Sequence, residues 1–294
     1  MKSHTDCISC VVAKANSLAD KYITDKNKKH AFMKNVLKEI VDIEFERTAP
    51  YLVAKVMRLL REETGIEDIY YEEKQFFTKK LMKLEDEIEK IVDTSEDRIL
   101  NGLKIALAGN IIDFGVFDDV DYEFVKKVID EAFHVQFKEQ TLLDFKKSLE
   151  RSKKLLYIGD NTGEIVFDKI FIKKIRDEYP DLEIHFAVRG EPILNDSTSE
   201  DALMVGMDKY AKILSSGSDL PGTDLLEVSD EFRRIFDESD LVLSKGQGNF
   251  ESLPGCCHNV YYLLLCKCDL LTRQLSCDKL SPVFMHEDDA ANIF

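Results

Sequence analysis

Three strings in the sequence carry residue types that work together in phosphoryl chemistry. The first is Tyr157-Ile158-Gly159-Asp160-Asn161-Thr162-Gly163-Glu164-Ile165-Val166-Phe167-Asp168, where an apolar run delivers a carboxylate and an amide side by side. Carboxylate and amide oxygens are hard ligands of the kind Mg²⁺ and Mn²⁺ take, and backbone N–H groups at a helix start suit phosphate oxygens. Thr162 stands where an N-cap would open the following helix. The second string, Pro192-Ile193-Leu194-Asn195-Asp196-Ser197-Thr198, again sets a carboxylate, Asp196, before a hydroxyl pair able to cap a helix. The third, Leu243-Ser244-Lys245-Gly246-Gln247-Gly248-Asn249-Phe250-Glu251, places a lysine and two glycines after an apolar run. Glycines let backbone amides approach an anion closely, and Lys245 offers a compact positive charge. One Asp-Asn turn after a strand is ordinary turn chemistry. Together, the three strings supply metal ligands, amide donors and a cation, the equipment of metal-assisted phosphoryl hydrolysis.

Competing motifs fit less well. Gly159 to Gly163 does not spell G-x-G-x-x-G, and Lys245 to Gly248 lacks the Lys-Ser/Thr that follows the glycines of a Walker A loop. A phosphatase with an aspartate nucleophile would normally carry a second Asp two positions after the first, where this chain has Thr162. None of the six histidines stands in the three strings, so a histidine base has no support there, and His258 is only near the third in sequence. Asp160 as metal ligand and Asp160 as nucleophile require the same residue type, so both remain open.

The elements that must position these residues follow from hydrophobic periodicity. After residue 150 come short apolar runs, each ending in Gly, Asn or Asp and followed by a helical stretch, which is the alternation of a largely parallel sheet. The runs are 155–158, 184–188, 213–214, 241–243, 261–265 and 283–285, with helices over about 163–178, 198–209 and 228–238. In open α/β sheets, ligands bind beyond the carboxyl ends of the strands, where all three strings lie. Before residue 150 the spacing is helical, as in Leu52, Val53, Val56, Leu59 and Leu60, with Pro50 placed to start that helix. Four of the 13 glycines and one of the six prolines lie in this half. The expected organisation is a helical domain over 1–150 and an α/β domain over 151–294 carrying the metal–phosphate site.

The 294 residues include 40 Lys and Arg against 56 Asp and Glu, a net charge of −16, split as −6 for 1–150 and −10 for 151–294. Acidity of this size argues against tracking along nucleic acid, which needs a basic footprint, but not against a small phosphorylated ligand. No stretch approaches 18 apolar residues, and the first residues lack the basic start and apolar run of a signal peptide, so no membrane partner and a cytoplasmic location are expected. Seven cysteines, an odd number, read as reduced thiols, core residues or metal ligands rather than a disulfide framework. Cys7 and Cys10 have metal or redox spacing, with His4 a third candidate ligand, so a second metal there stands beside redox and inert readings. The run Glu85, Asp86, Glu87 and Glu89 reads as a solvated helix face.

The three strings, with Cys7-Ile8-Ser9-Cys10 and the segment Gly109-Asn110-Ile111-Ile112-Asp113-Phe114-Gly115, resemble the damage-control phosphatase family, also called acidic-residue methyltransferase-like. The resemblance covers nearly the whole chain and is similar to the prokaryotic stand-alone branch. It implies an N-terminal helical domain plus a Rossmann-like three-layer α/β/α domain. It further implies a divalent-metal-dependent phosphatase acting on a small phosphometabolite, with Mg²⁺, Mn²⁺, Co²⁺ or Ni²⁺ as candidate cofactor. Carried over residue by residue, it implies Asp160, Asn161 and Asp196 as metal ligands and Lys245 as a phosphate contact. Thr198 and the amides of Gly246 and Gly248 are further substrate contacts suggested by the strings themselves. Asn110 and Asp113 either reach the site from the helical half or serve as caps or as polar groups satisfied in the core. Glu164 could touch water at the metal, whereas Asp168 complements the helix dipole. Two other functions stay open: a carboxyl methyltransferase using S-adenosylmethionine, against which the absence of a glycine-rich first loop counts, and a non-catalytic phosphometabolite or metal-binding protein. Substrate identity and oligomeric state are not encoded in these patterns.

Overall fold

The computed structural model describes residues 4–44, 47–111 and 122–293. Eight helices precede the first strand among these residues: α1 (Thr5–Tyr22), α2 (Lys26–Asp42), α3 (Ala49–Thr64), α4 (Tyr71–Met82), α5 (Glu85–Asp93), α6 (Arg98–Ile111), α7 (Tyr122–Phe133) and α8 (Glu139–Arg151). Pro50 falls in the first turn of α3, where its missing N–H has no intrahelical partner to lose, and Gly65, at φ 70°, ends that helix.

Strands and helices then alternate as expected: β1 (Lys154–Ile158), α9 (Ile165–Glu178), β2 (Glu183–Val188), α10 (Ser199–Met204), β3 (Lys212–Ser215), α11 (Asp230–Glu238), β4 (Leu241–Lys245), α12 (Gln247–Ser252), β5 (Val260–Leu265), α13 (Asp269–Leu275), β6 (Pro282–His286) and α14 (Glu287–Ala290). The sheet order is β3-β2-β1-β4-β5-β6, with β6 antiparallel to β5 and every other pairing parallel. This is the order of a doubly wound sheet, whose connections reverse direction between β1 and β4, and the crevice at that reversal is where such sheets take ligands.

Alternation along the strands splits the core in two. Leu155, Tyr157, Leu241, Leu243 and Leu263 face one layer of helices, whereas Leu156, Ile158, Val242, Tyr262 and Leu264 face the other. The expected boundary at residue 150 coincides with the passage from α8 to β1, while the packing crosses it. Helices α5 to α8 join α9 over the first face of the sheet, and α1 to α3 enclose a separate core with Val11, Leu18, Phe32, Leu52 and Val56.

One expected helix differs in extent, and one expected surface differs in its partners. The helix expected over 198–209 breaks at Gly206, which lies at φ 72° between α10 and the 3₁₀ turn Met207–Lys209. The acidic run of α5 is solvated at Asp86 and Glu87, but Glu85 and Glu89 turn inward. Glu85 pairs with Lys169 at 2.7 Å and Lys173 at 3.1 Å, and Glu89 with Lys173 at 2.8 Å and Lys174 at 2.9 Å, so α5 is bound by charge to α9.

Candidate active site

Strand β1 runs through the centre of the sheet between β2 and β4 and ends at Gly159, where a Cβ would come within 2.8 Å of the Phe186 ring. Asp160 and Asn161 follow at once. The loop after β2 is stitched onto this tip: Thr162 N–H donates to Asn195 O (2.9 Å), Ser197 N–H to Asp160 O (2.8 Å), and Asn161 and Asp196 form an isolated antiparallel bridge. Asp160, Asn161 and Asp196 are therefore brought together by backbone hydrogen bonds, from strings more than thirty residues apart in sequence.

Their side chains form a crowded anionic cluster. Asn161 Nδ2 donates to Asp160 Oδ2 at 3.2 Å and to Glu164 Oε1. Asn110, at the end of α6, points its Nδ2 to the same Glu164 oxygen and lies 3.4 Å from Asp160 Oδ2, while its Oδ1 accepts from Leu265 N–H at 3.1 Å. Asn110 thus reaches the site from the helical half. Asp113 lies outside the described residues.

Arg189, directly after β2, is the principal counter-charge. Its Nε donates to Asp196 Oδ2 at 2.7 Å, and its Nη1 to Gly222 O (3.0 Å) and Asn249 Oδ1 (3.1 Å). Its Nη2 is buried without a hydrogen-bond partner among the described residues and lies 3.7 Å from Asp160 Oδ1. Burial, then the charges of Glu164 and Asp196, push the Asp160 carboxyl well above its ordinary value, against the opposing pull of Arg189 and Lys267. Burial likewise raises Asp196, with Arg189 opposing and Glu164 adding. Burial is the first cause of both shifts, and the side chains here are hard oxygen donors of the kind a divalent cation takes. Among the described residues, no group of three or more His, Cys, Asp or Glu is arranged to hold a metal, so a ligand set here must draw on the Asn161 amide oxygen beside the two aspartates.

Lys245 sits elsewhere than the sequence strings suggest. It is fully buried, and its Nζ donates to Asp168 Oδ1 at 2.8 Å and Glu164 Oε2 at 3.1 Å. Burial opposes its charge, but these two carboxylates outweigh burial and hold it above the ordinary lysine value. Asp168, pushed up to about 6 by burial despite Lys245, also accepts from Tyr157 Oη at 2.6 Å. It lies in the first turn of α9, where it complements the helix dipole as expected, and it is also an internal charge partner. Glu164 is the buried link between this pair and the two asparagines.

Other expected roles move as well. Helix α9 begins after Glu164, so Thr162 is not its cap; its hydroxyl donates to Asp196 O at 3.2 Å. Thr198 opens α10 and bonds Asp201 through its N–H (2.9 Å) and its hydroxyl (2.8 Å). The Gly246 N–H donates to Leu263 O at 3.0 Å and so belongs to the sheet. Gly246 itself, at φ 80°, is needed for space. Gly248 lines the cavity in the first turn of α12, where N–H groups lack intrahelical acceptors.

A cavity of about 670 Å³ opens in front of Asp160, Asn161 and Asp196. Its opposite wall comes from α1 and α3, and its side from the segment after β5, where Lys267 stands. Gln247 fixes that segment: its Oε1 accepts from the Lys267 N–H at 2.9 Å and the Cys268 N–H at 3.1 Å. Lys267 and Arg189 were both missed from sequence, yet each is a cation placed one or two residues beyond a buried strand. Cys7 and Cys10 line the cavity from the first turns of α1, and burial raises the Cys7 thiol above its ordinary value. His4 caps α1, its Nδ1 accepting from Asp6 N–H at 3.1 Å. His258 packs edge-on against Phe236, with ring centroids 4.7 Å apart.

Comparison with known proteins gives a consistent picture. Residues 3–281 match a family model described as the damage-control phosphatase ARMT1-like domain. An uncharacterized protein of Methanocaldococcus jannaschii is 31% identical over 288 residues, covering 95% of this chain and 93% of that one. A damage-control phosphatase of Pyrococcus horikoshii is 30% identical over 295 residues, covering 97% and 98%. The crystal structure of a DUF89 family protein from Pyrococcus horikoshii superposes with a TM-score of 0.87 at 27% identity, covering 98% of this chain and 99% of that one.

Proposed function

From the premise that the chain belongs to the damage-control phosphatase ARMT1-like family, which supports a phosphatase role, we propose that it hydrolyses a small phosphate monoester with the help of a divalent cation. The observation that carries this reading is the convergence of Asp160, Asn161 and Asp196, three hard oxygen donors, on one cavity. These three would hold the cation, the Asn161 Nδ2 being committed to Asp160 and Glu164 so that Oδ1 is the atom left for it. Lewis-acid activation of the phosphoryl group and of the attacking water is the chemistry such a cation supplies when bound.

The chain's own residues do the rest. Lys267, at the cavity side, meets the phosphate oxygens and offsets their charge. The Gly248 N–H, in the first turn of α12, adds a neutral donor. Arg189 and Glu164 act behind the aspartates and asparagines, fixing how they point. Asp160 stands at the reacting end of the cavity, either as a ligand alone or as the group that takes the phosphoryl; both uses need it ionised.

The test is phosphate release from a panel of phosphate monoesters with Mg²⁺, Mn²⁺, Co²⁺ or Ni²⁺. Activity is expected with at least one metal and should vanish in chelator and in Asp160→Asn. Full activity in chelator or in that variant would overturn the reading.

A further inference from the structure

Resting on the phosphatase reading, we propose that the cavity is shaped for a phosphate monoester with one anionic head and an apolar organic part next to the ester. Beyond the acidic floor, the wall carries an apolar patch of Val11 from α1, Ala49, Pro50 and Val53 from α3, and Leu194 and Leu270, set among polar wall residues such as Ser9, Asn195 and Gln247. The volume of about 670 Å³ lies within the range of sites that enclose drug-sized ligands, roughly 300–1,000 Å³, so substantial room remains once a phosphate is seated.

Leu194 carries the argument furthest. It adopts φ 46°, a left-handed conformation that branched, bulky residues avoid and that Asn or Gly would adopt readily. The chain on either side is tied down: Arg61 donates to Pro192 O at 2.9 Å, Ile193 is buried in the core of α1 to α3, and Asp196 belongs to the acidic cluster. Strain of this kind persists where the surroundings impose it, and here it holds an apolar side chain between the core of α1 to α3 and the cavity, two residues before the proposed metal ligand Asp196.

The charges at the rim point the same way. Arg273 is paired with Asp6, and Lys279 with Asp269 at 3.3 Å, so each of these cations already has a carboxylate partner within the cavity wall. Glu251, also on the wall, adds a further carboxyl. A second phosphate or a carboxylate tail would meet balanced or acidic surface, whereas an apolar tail displaces water from Val53 and Leu194.

Alkylphosphonates, which cannot be hydrolysed at the P–C bond, test this directly. Dissociation constants of methyl-, propyl- and hexylphosphonate would be measured by calorimetry on the Mn²⁺-loaded protein, with 6-phosphonohexanoate as the charged-tail control. A fully buried methylene is worth about fourfold, so with partial burial the hexyl compound should bind about tenfold or more tighter than the methyl one. The carboxylate control should lose most of that gain. Leu194→Asn, whose backbone tolerates the native φ, should bring the hexyl-to-methyl ratio to within about twofold. The wild-type ratio decides the question without any variant. A flat ratio, with phosphate still released from sugar phosphates, overturns the apolar preference and leaves the phosphatase reading standing. A steep ratio with no phosphate released from hexyl phosphate or any other ester supports the preference and overturns the phosphatase reading.

Discussion

The carboxylate of Asp160 occupies the space that a side chain at residue 246 would need: a Cβ built on Gly246 would lie 1.9 Å from Asp160 Oδ2 and 2.2 Å from its Cγ. Gly246 also sits at φ 80°, so its backbone and its missing side chain are both required. Gly246→Ala should therefore push Asp160 off its position. Displacing a reacting group by about 1 Å can cost about a hundredfold. We expect kcat to fall by about that factor and Mn²⁺ affinity to weaken, both measurable on the purified variant.

Lys245 should behave as a stability residue. Lys245→Met leaves Glu164 and Asp168 buried without their cation, and breaking a buried pair from one side typically costs about 3–5 kcal/mol. Chemical denaturation should show a loss of that order, partly restored in the double variant Lys245→Met/Asp168→Asn. A Lys245→Met protein of unchanged stability with only a raised KM would return the residue to the phosphate.

Asp168 links folding to pH. Its folded value, pushed up to about 6, lies above the ordinary carboxyl value of 3.8, so the folded chain binds a proton that the unfolded chain has released between those two values. Stability from this group is present at low pH and is lost as pH rises from about 4 to about 6, on the order of 2–3 kcal/mol. Midpoints of urea denaturation for the metal-free protein should fall across that window, and Asp168→Asn should flatten this part of the profile.

Lys267 should govern affinity for the phosphoryl group. Hydrogen bonds to charged groups contribute about 1.5–3 kcal/mol, so Lys267→Gln should raise KM, and the inhibition constant of inorganic phosphate, by about tenfold or more. Thermal stability should change little by comparison. Gln247→Leu, which removes the acceptor of the Lys267 and Cys268 N–H groups, should weaken phosphate in the same direction through the altered backbone.

Much of this arrangement was legible because parallel strands buried on both faces stand out as apolar runs, and the residues beyond them stand at the ligand-binding edge. Asp160, Asn161 and Asp196, singled out that way, are brought together on one cavity. A period of two could have placed the Lys245 side chain: Leu241 and Leu243 face α9, and Lys245 shares their parity, so it enters the layer holding Glu164 and Asp168. Thr162 was taken for a cap because the turn that joins Asn161 O to Glu164 N–H, at 3.1 Å, delays the helix. Glu85 and Glu89 of α5 were taken for surface because their lysine partners lie more than eighty residues away, on α9, whereas Asp86 and Glu87 are exposed as expected. Arg189 and Lys267 were within reach of the same strand-tip rule, whereas the contribution of α1 and α3 to the cavity depends on tertiary packing that no local pattern reports.

The hydrogen bonds that sew the loop after β2 to the tip of β1 also set how the site moves. Thr162 N–H and Ser197 N–H are both donated across the seam, to Asn195 O and Asp160 O. Opening the loop means breaking these bonds together with the Asn161–Asp196 bridge, against a fully parallel part of the sheet. The two amide protons should thus exchange with deuterium as slowly as those of β1, in one cooperative unit with the sheet. On the proposed reading, a cation would meet ligands already held in place, and the entropy of assembling them would have been met when the chain folded.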